Sequence, residues 1–127
     1  MRKYNQYLRS LGQVACGLIL PLSAALAADF PTGAYTAHEH VTLTFDGKGQ
    51  FQVNDGKATQ VTGHYAIKGN QLKMTDKEGP WACTKAGEQT GTYTWKYVNS
   101  ALTLTKVADH CEARVGTLAT APWKQPS

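Results

Sequence analysis

From Val41 to Leu104, short runs in which apolar and polar residues alternate with a period of two are separated by polar turns and loops. Val41, Leu43 and Phe45 are interleaved with Thr42, Thr44 and Asp46, and Phe51 and Val53 resume the apolar face after Asp46-Gly47-Lys48-Gly49. That spacing puts every second side chain on one face of a pleated ribbon, and the Asp/Gly cluster between two such runs marks a hairpin turn. Asn54-Asp55-Gly56-Lys57 is the next turn. Val61, Gly63, Tyr65 and Ile67 line a third strand, Gly69-Asn70 reverses the chain, and Leu72 and Met74 follow at strand spacing. Thr75 to Pro80 reads as a loop, Trp81-Ala82-Cys83 as a short apolar piece and Lys85 to Thr90 as a second loop. Tyr93, Trp95 and Tyr97 alternate with Thr92, Thr94 and Lys96, Asn99-Ser100 turns, and Leu102 and Leu104 return. Helical patterning is confined to one or two turns between Asp109 and Leu118, with Asp109 as N-cap, and a last short strand passes through Pro122-Trp123-Lys124.

About eight short strands joined by tight turns predict an all-β meander. A meander of this length leaves two unpaired edges, which closure removes, whereas a sandwich needs longer crossovers. The expected fold is a small antiparallel up-and-down barrel with one short helical turn near the C-terminus.

The N-terminus changes how composition is read. Arg2, Lys3 and Arg9 precede the apolar stretch Leu11 to Ala27, which ends in Ala25-Leu26-Ala27, an A-x-A cleavage pattern. Residues 1–27 read as a signal peptide and 28–127 as one domain, exported to the periplasm or the medium. Lipidation at Cys16 is disfavoured, because Gln13 stands where a leucine-like residue is wanted. The whole chain has 13 basic and 9 acidic residues. Three of the basic ones lie in the leader, so the mature domain is close to neutral at +1. Nucleic-acid and membrane-surface binding lose their electrostatic basis. Cleavage also leaves two of the three cysteines, Cys83 and Cys111. In an exported domain, an even count reads as one structural disulfide; the competing reading, a Cys/His metal site, lacks any CxxC spacing.

Three motifs, in order, carry a family resemblance. Gly33-Ala34-Tyr35 is similar to the opening Gly-x-Trp motif of lipocalins, with Tyr for Trp. Gly91-Thr92-Tyr93-Thr94-Trp95 followed by Leu102-Thr103-Leu104-Thr105 resembles the G-x-Y-x-W…LTLT hairpin of small bacterial secreted lipocalin-like proteins. Asp109, Cys111 and Arg114 resemble their D-x-C-x-x-R corner. The chain thus resembles the calycin superfamily from Gly33 to Trp123, although it is shorter than classical lipocalins and has no long C-terminal helix. The resemblance implies an eight-stranded barrel, open at one end, that holds a small hydrophobic molecule. It also implies that Arg114 closes the barrel base by stacking on an aromatic ring, here Tyr35 or Trp123. The competing role for Arg114 is to bind an anionic ligand group.

The inward-facing aromatics Tyr35, Phe45, Phe51, Tyr65, Trp81, Tyr93, Trp95 and Tyr97 are the candidate ligand-binding residues. Tyr and Trp combine large apolar area with a polar handle, which suits a pocket with a few orienting hydrogen bonds. His38-Glu39-His40 offers a second chemistry: on a strand, His38 and His40 face the same way and could share a metal ion, with His64 or His110 adding a ligand. Catalysis finds no support. No G-x-S-x-G occurs, no free cysteine pairs with a histidine, and the mature serines are Ser100, in a turn, and Ser127, at the terminus. No Gly-rich phosphate loop is present.

The expectation is a monomeric, non-enzymatic binding protein without cofactor, holding a small apolar or amphipathic molecule in an aromatic-lined barrel. The alternatives are an interaction or inhibitor-type protein acting on an exported partner through the loops Thr75–Pro80 and Lys85–Thr90, and periplasmic metal binding through His38 and His40.

Overall fold

The structure, a computed structural model, describes residues 30–126; the expected signal peptide, residues 1–27, and with it Cys16, lies outside them. Eight antiparallel strands run in chain order: β1 (Gly33–Ala37), β2 (Val41–Phe45), β3 (Gln50–Asn54), β4 (Thr59–Lys68), β5 (Gln71–Glu78), β6 (Thr90–Val98), β7 (Ala101–Ala108) and β8 (Trp123–Lys124). Each pairs with the next, and β8 pairs with β1, so the sheet closes into a barrel. One helix, α1 (Glu112–Leu118), lies between β7 and β8. The expected fold class is therefore the observed one.

The turns follow their sequence signals. Asp46 Oδ1 accepts from Lys48 N at 2.6 Å and Gln50 N at 3.0 Å, and Asp55 Oδ1 accepts from Lys57 N and Ala58 N. In both cases a short carboxylate caps the backbone of its own turn. Asn99 and Ser100 both take positive φ, 52° and 63°, between the paired residues Val98 and Ala101, which is the two-residue geometry that matches strand twist.

Two expectations need correction. Thr75 to Glu78 is not loop but the end of β5: Thr75 pairs with both His64 and Thr90, and a register shift near Gly63 carries the strand on to Glu78. The inward face therefore continues through Leu72, Met74 and Asp76, all buried. Asp109 is also not the helix N-cap. Cys111 is, its Sγ accepting from Arg114 N at 3.3 Å, because the Asp109 carboxylate is committed elsewhere.

In an up-and-down barrel, alternate connections share an end. The β2–β3, β4–β5 and β6–β7 turns sit at one end. The β1–β2 and β3–β4 turns, the long β5–β6 loop (residues 79–89) and the start of α1 sit at the other. Near the first end the interior is filled by aromatics in edge contact: Tyr35 with Phe45 and Tyr97, and Phe45 with Tyr65 at 4.9 Å between centroids. Tyr35 donates to Pro31 O at 2.5 Å and Tyr97 to Gln125 Oε1.

Candidate functional site

The helix end is organised by one buried cation. Arg114 is on the inner face of α1, its side chain 4% exposed. All five of its N–H donors meet acceptors. Nε and Nη2 grip the two oxygens of Asp109, each at 2.7 Å. Nη2 also reaches Glu88 O at 2.7 Å, and Nη1 reaches Gln89 O at 3.2 Å and Asp76 Oδ2 at 3.0 Å. The fork on Asp109 is the geometry in which arginine differs most from lysine. Tyr93 adds its hydroxyl to Asp109 Oδ2, and the Cys111 N–H adds a bond to Oδ1 at 2.9 Å. Asp76 Oδ2 also accepts from Cys83 N at 2.8 Å. The Cys83–Cys111 disulfide thus spans the two backbone segments that donate to the two carboxylates.

Burial alone would push the Asp109 carboxyl up. The bonds from Arg114, Tyr93 and the Cys111 N–H outweigh it and hold the group below the ordinary carboxylate range. Burial, followed by the neighbouring Asp109, pushes the Tyr93 phenol well above its usual value. Burial likewise raises Tyr35, with Tyr97 adding to the effect. For Arg114, desolvation works against the charge, but its hydrogen bond to Asp109 and the two carboxylates prevail.

The expected aromatic partner of Arg114 is thus replaced by carboxylates. Tyr35 stacks on Phe45 and Tyr97, and Trp123 lies edge-on to His38 and donates to Leu118 O at 3.1 Å. The other candidate role, holding an anionic ligand, has no unused N–H to serve it.

Beside this network a pocket of about 340 Å³ opens between α1 and the barrel interior. Phe51, Val53, Val61 and Met74 supply its barrel side and Leu118 its helix side; Asp76 and Arg114 supply its polar wall. Ala113 and Thr117 of α1 and Trp81 of the β5–β6 loop complete it. Trp81, 42% exposed, also borders a second cleft of about 440 Å³ with His40, Val41 and Lys57. Its backbone N–H is fixed to Gln60 O at 3.0 Å. Phe51 owes its position to Gly63, its partner across β3 and β4: a Cβ on Gly63 would come within 2.7 Å of the ring.

Of the eight candidate aromatics, only Phe51 and Trp81 line this pocket. Tyr35, Phe45, Tyr65 and Tyr97 make the edge-stacked cluster, and Tyr93 serves Asp109. Trp95 donates Nε1 to Gly69 O at 3.1 Å, next to the β4–β5 turn. Sequence reasoning missed Asp76, Val53, Val61, Met74 and Leu118 as pocket residues. A signal was present for Asp76: it follows Leu72 and Met74 at strand spacing, an acidic residue on an apolar face.

His38 and His40 are not on a strand. They lie in the three-residue turn between β1 and β2, where His38 and Glu39 take φ of 50° and 70°, and His38 Nε2 is bonded to Thr117 O at 2.9 Å. Among the described residues, one group of three metal-ligand types converges, Asp76, Cys83 and Cys111, and both its sulfurs are spent in the disulfide. Comparison with known proteins finds no matching family model, no matching curated protein and no matching solved structure.

Proposed function

We propose that this protein is an exported, non-enzymatic binding protein of the lipocalin-like type, which takes a small apolar or amphipathic molecule into the pocket between α1 and the barrel. The observation that carries this reading is the pocket itself. It is apolar on the barrel side, has one polar wall and an exposed tryptophan at its border, and is of a volume at the small end of ligand sites. Binding is by burial. A ligand that loses roughly 200 Å² of apolar surface to the pocket gains about 5 kcal/mol of transfer free energy, and the surplus over the cost of immobilising it sets the affinity. The paired disulfide and Arg114 network support the reading by fixing the helix and loop that form two of the pocket's sides. Export is supported by the leader-like residues 1–27 and by the disulfide.

Calorimetric titration of residues 28–127 with a neutral arylalkanol such as phenylbutanol tests it. Saturable one-to-one binding is expected. A blank titration across a series of arylalkanols of different length contradicts it. A second reading, an interaction or inhibitor-type protein, draws on the exposure of Trp81 on a tethered loop, because tryptophan is enriched among residues that anchor protein contacts. A blank arylalkanol titration favours that reading.

A further inference from the structure

We infer that the pocket selects ligands carrying a positively charged group, an alkylammonium or amidinium on an apolar body, and that Asp76 receives it. The inference rests on the binding reading above and deepens it.

Three observations carry it. First, the polar wall has an uneven charge. Asp76 and Asp109 together face one cation, Arg114, so the cluster has a net charge of −1. Second, the cation has nothing left to offer. Each of the five N–H groups of Arg114 already meets an acceptor: two on Asp109, one each on Glu88 O and Gln89 O, and one on Asp76 Oδ2. An anionic ligand would have to displace one of them. Third, an acceptor is left over. Asp76 lines the pocket and its side chain is 3% exposed. Its Oδ2 takes both the Cys83 N–H and the Arg114 contact, while its Oδ1 accepts no hydrogen bond among the described residues. A buried carboxylate oxygen without a donor is costly, and such a group calls for an explanation. A ligand N–H beside the apolar wall of Val53, Val61 and Met74 satisfies it and neutralises the excess charge in one step.

Asp109 is different. Its Oδ1 has Cys111 N and Arg114, and its Oδ2 has Tyr93 and Arg114. It holds the helix in place, whereas Asp76 has one oxygen to spare.

The test uses three ligands with one apolar body: phenylbutylamine, phenylbutanol and phenylbutyrate, titrated calorimetrically at neutral pH. The amine is expected to bind at least tenfold tighter than the alcohol, and the carboxylate most weakly. Asp76→Asn should reduce the amine's advantage over the alcohol to less than threefold. Equal binding of amine and alcohol, or tightest binding of the carboxylate, overturns the inference and leaves the pocket reading standing. Binding of none of the three overturns both. If Asp76→Asn does not fold, the ranking on the unmodified protein decides alone.

Discussion

Gly91 and Asp109 compete for one volume. A Cβ on Gly91 would overlap the Asp109 carboxylate and lie 3.1 Å from Arg114 Nε. The glycine that begins the inward face of β6 is therefore the floor on which the buried ion pair rests. Gly91→Ala is expected to destabilise the domain by about 3 kcal/mol or more, because overpacking a core is compounded by displacement of a buried charge from its partner. Gly116→Ala is the control. It adds the same methyl within α1, where a Cβ meets nothing within 4 Å, and should stabilise by up to about 1 kcal/mol through helix propensity. Urea unfolding of the two variants checks both signs.

The disulfide joins residues 28 apart. In the chain-entropy picture, closing such a loop is worth roughly 3–4 kcal/mol. The Cys83→Ser/Cys111→Ser double variant should melt on the order of 15 °C lower than wild type, by the usual scaling for a domain of this size. Scanning calorimetry measures this, and an unchanged midpoint would contradict it.

Stability should fall away at both ends of the pH scale. The folded state holds the Asp109 carboxyl below its ordinary value. The stability it contributes is complete above the unfolded value of about 3.9 and is lost as pH falls through the folded one. An acid limb below about pH 4 is expected, and Asp109→Asn should be less stable at neutrality with a flatter limb. Tyr35 and Tyr93 are shifted the other way. Their contribution is complete below the unfolded value of about 10 and declines as pH rises beyond it. In an ultraviolet titration these two phenols should ionise only as the protein unfolds; ordinary ionisation of every tyrosine in the folded state would contradict the assignment.

Ala113 is exposed on α1 and borders the pocket. Ala113→Trp places an indole across that border without disturbing a buried group. Arylalkanol affinity should drop at least tenfold, with a melting temperature within a few degrees of wild type. Undiminished binding would place the ligand elsewhere.

Much of the barrel was legible because its strands are buried on one face. Val41, Leu43 and Phe45, or Tyr93, Trp95 and Tyr97, reveal their direction by spacing alone. The end of β5 was not legible. Thr75 to Glu78 has no apolar residue, and its strand character comes from pairing with β4 and β6 rather than from local pattern. The same blind spot hid Asp76, whose burial depends on an arginine 38 positions later. Asp109 was misread for a related reason. Before a helix, an aspartate has the local chemistry of an N-cap, and only the fold reveals that Arg114 turns back to claim it. The aromatic content was visible, but which rings fill the interior and which border open space is decided by barrel height, a property of the closed sheet.

The most direct measurement is a two-dimensional amide NMR titration of residues 28–127 with phenylbutanol. Saturable shifts are expected at Phe51, Val53, Val61, Met74, Trp81 and Leu118, with the Tyr35–Phe45–Tyr97 cluster at the far end unmoved. Shifts scattered over the outer surface, or none at ligand concentrations of several millimolar, would contradict it.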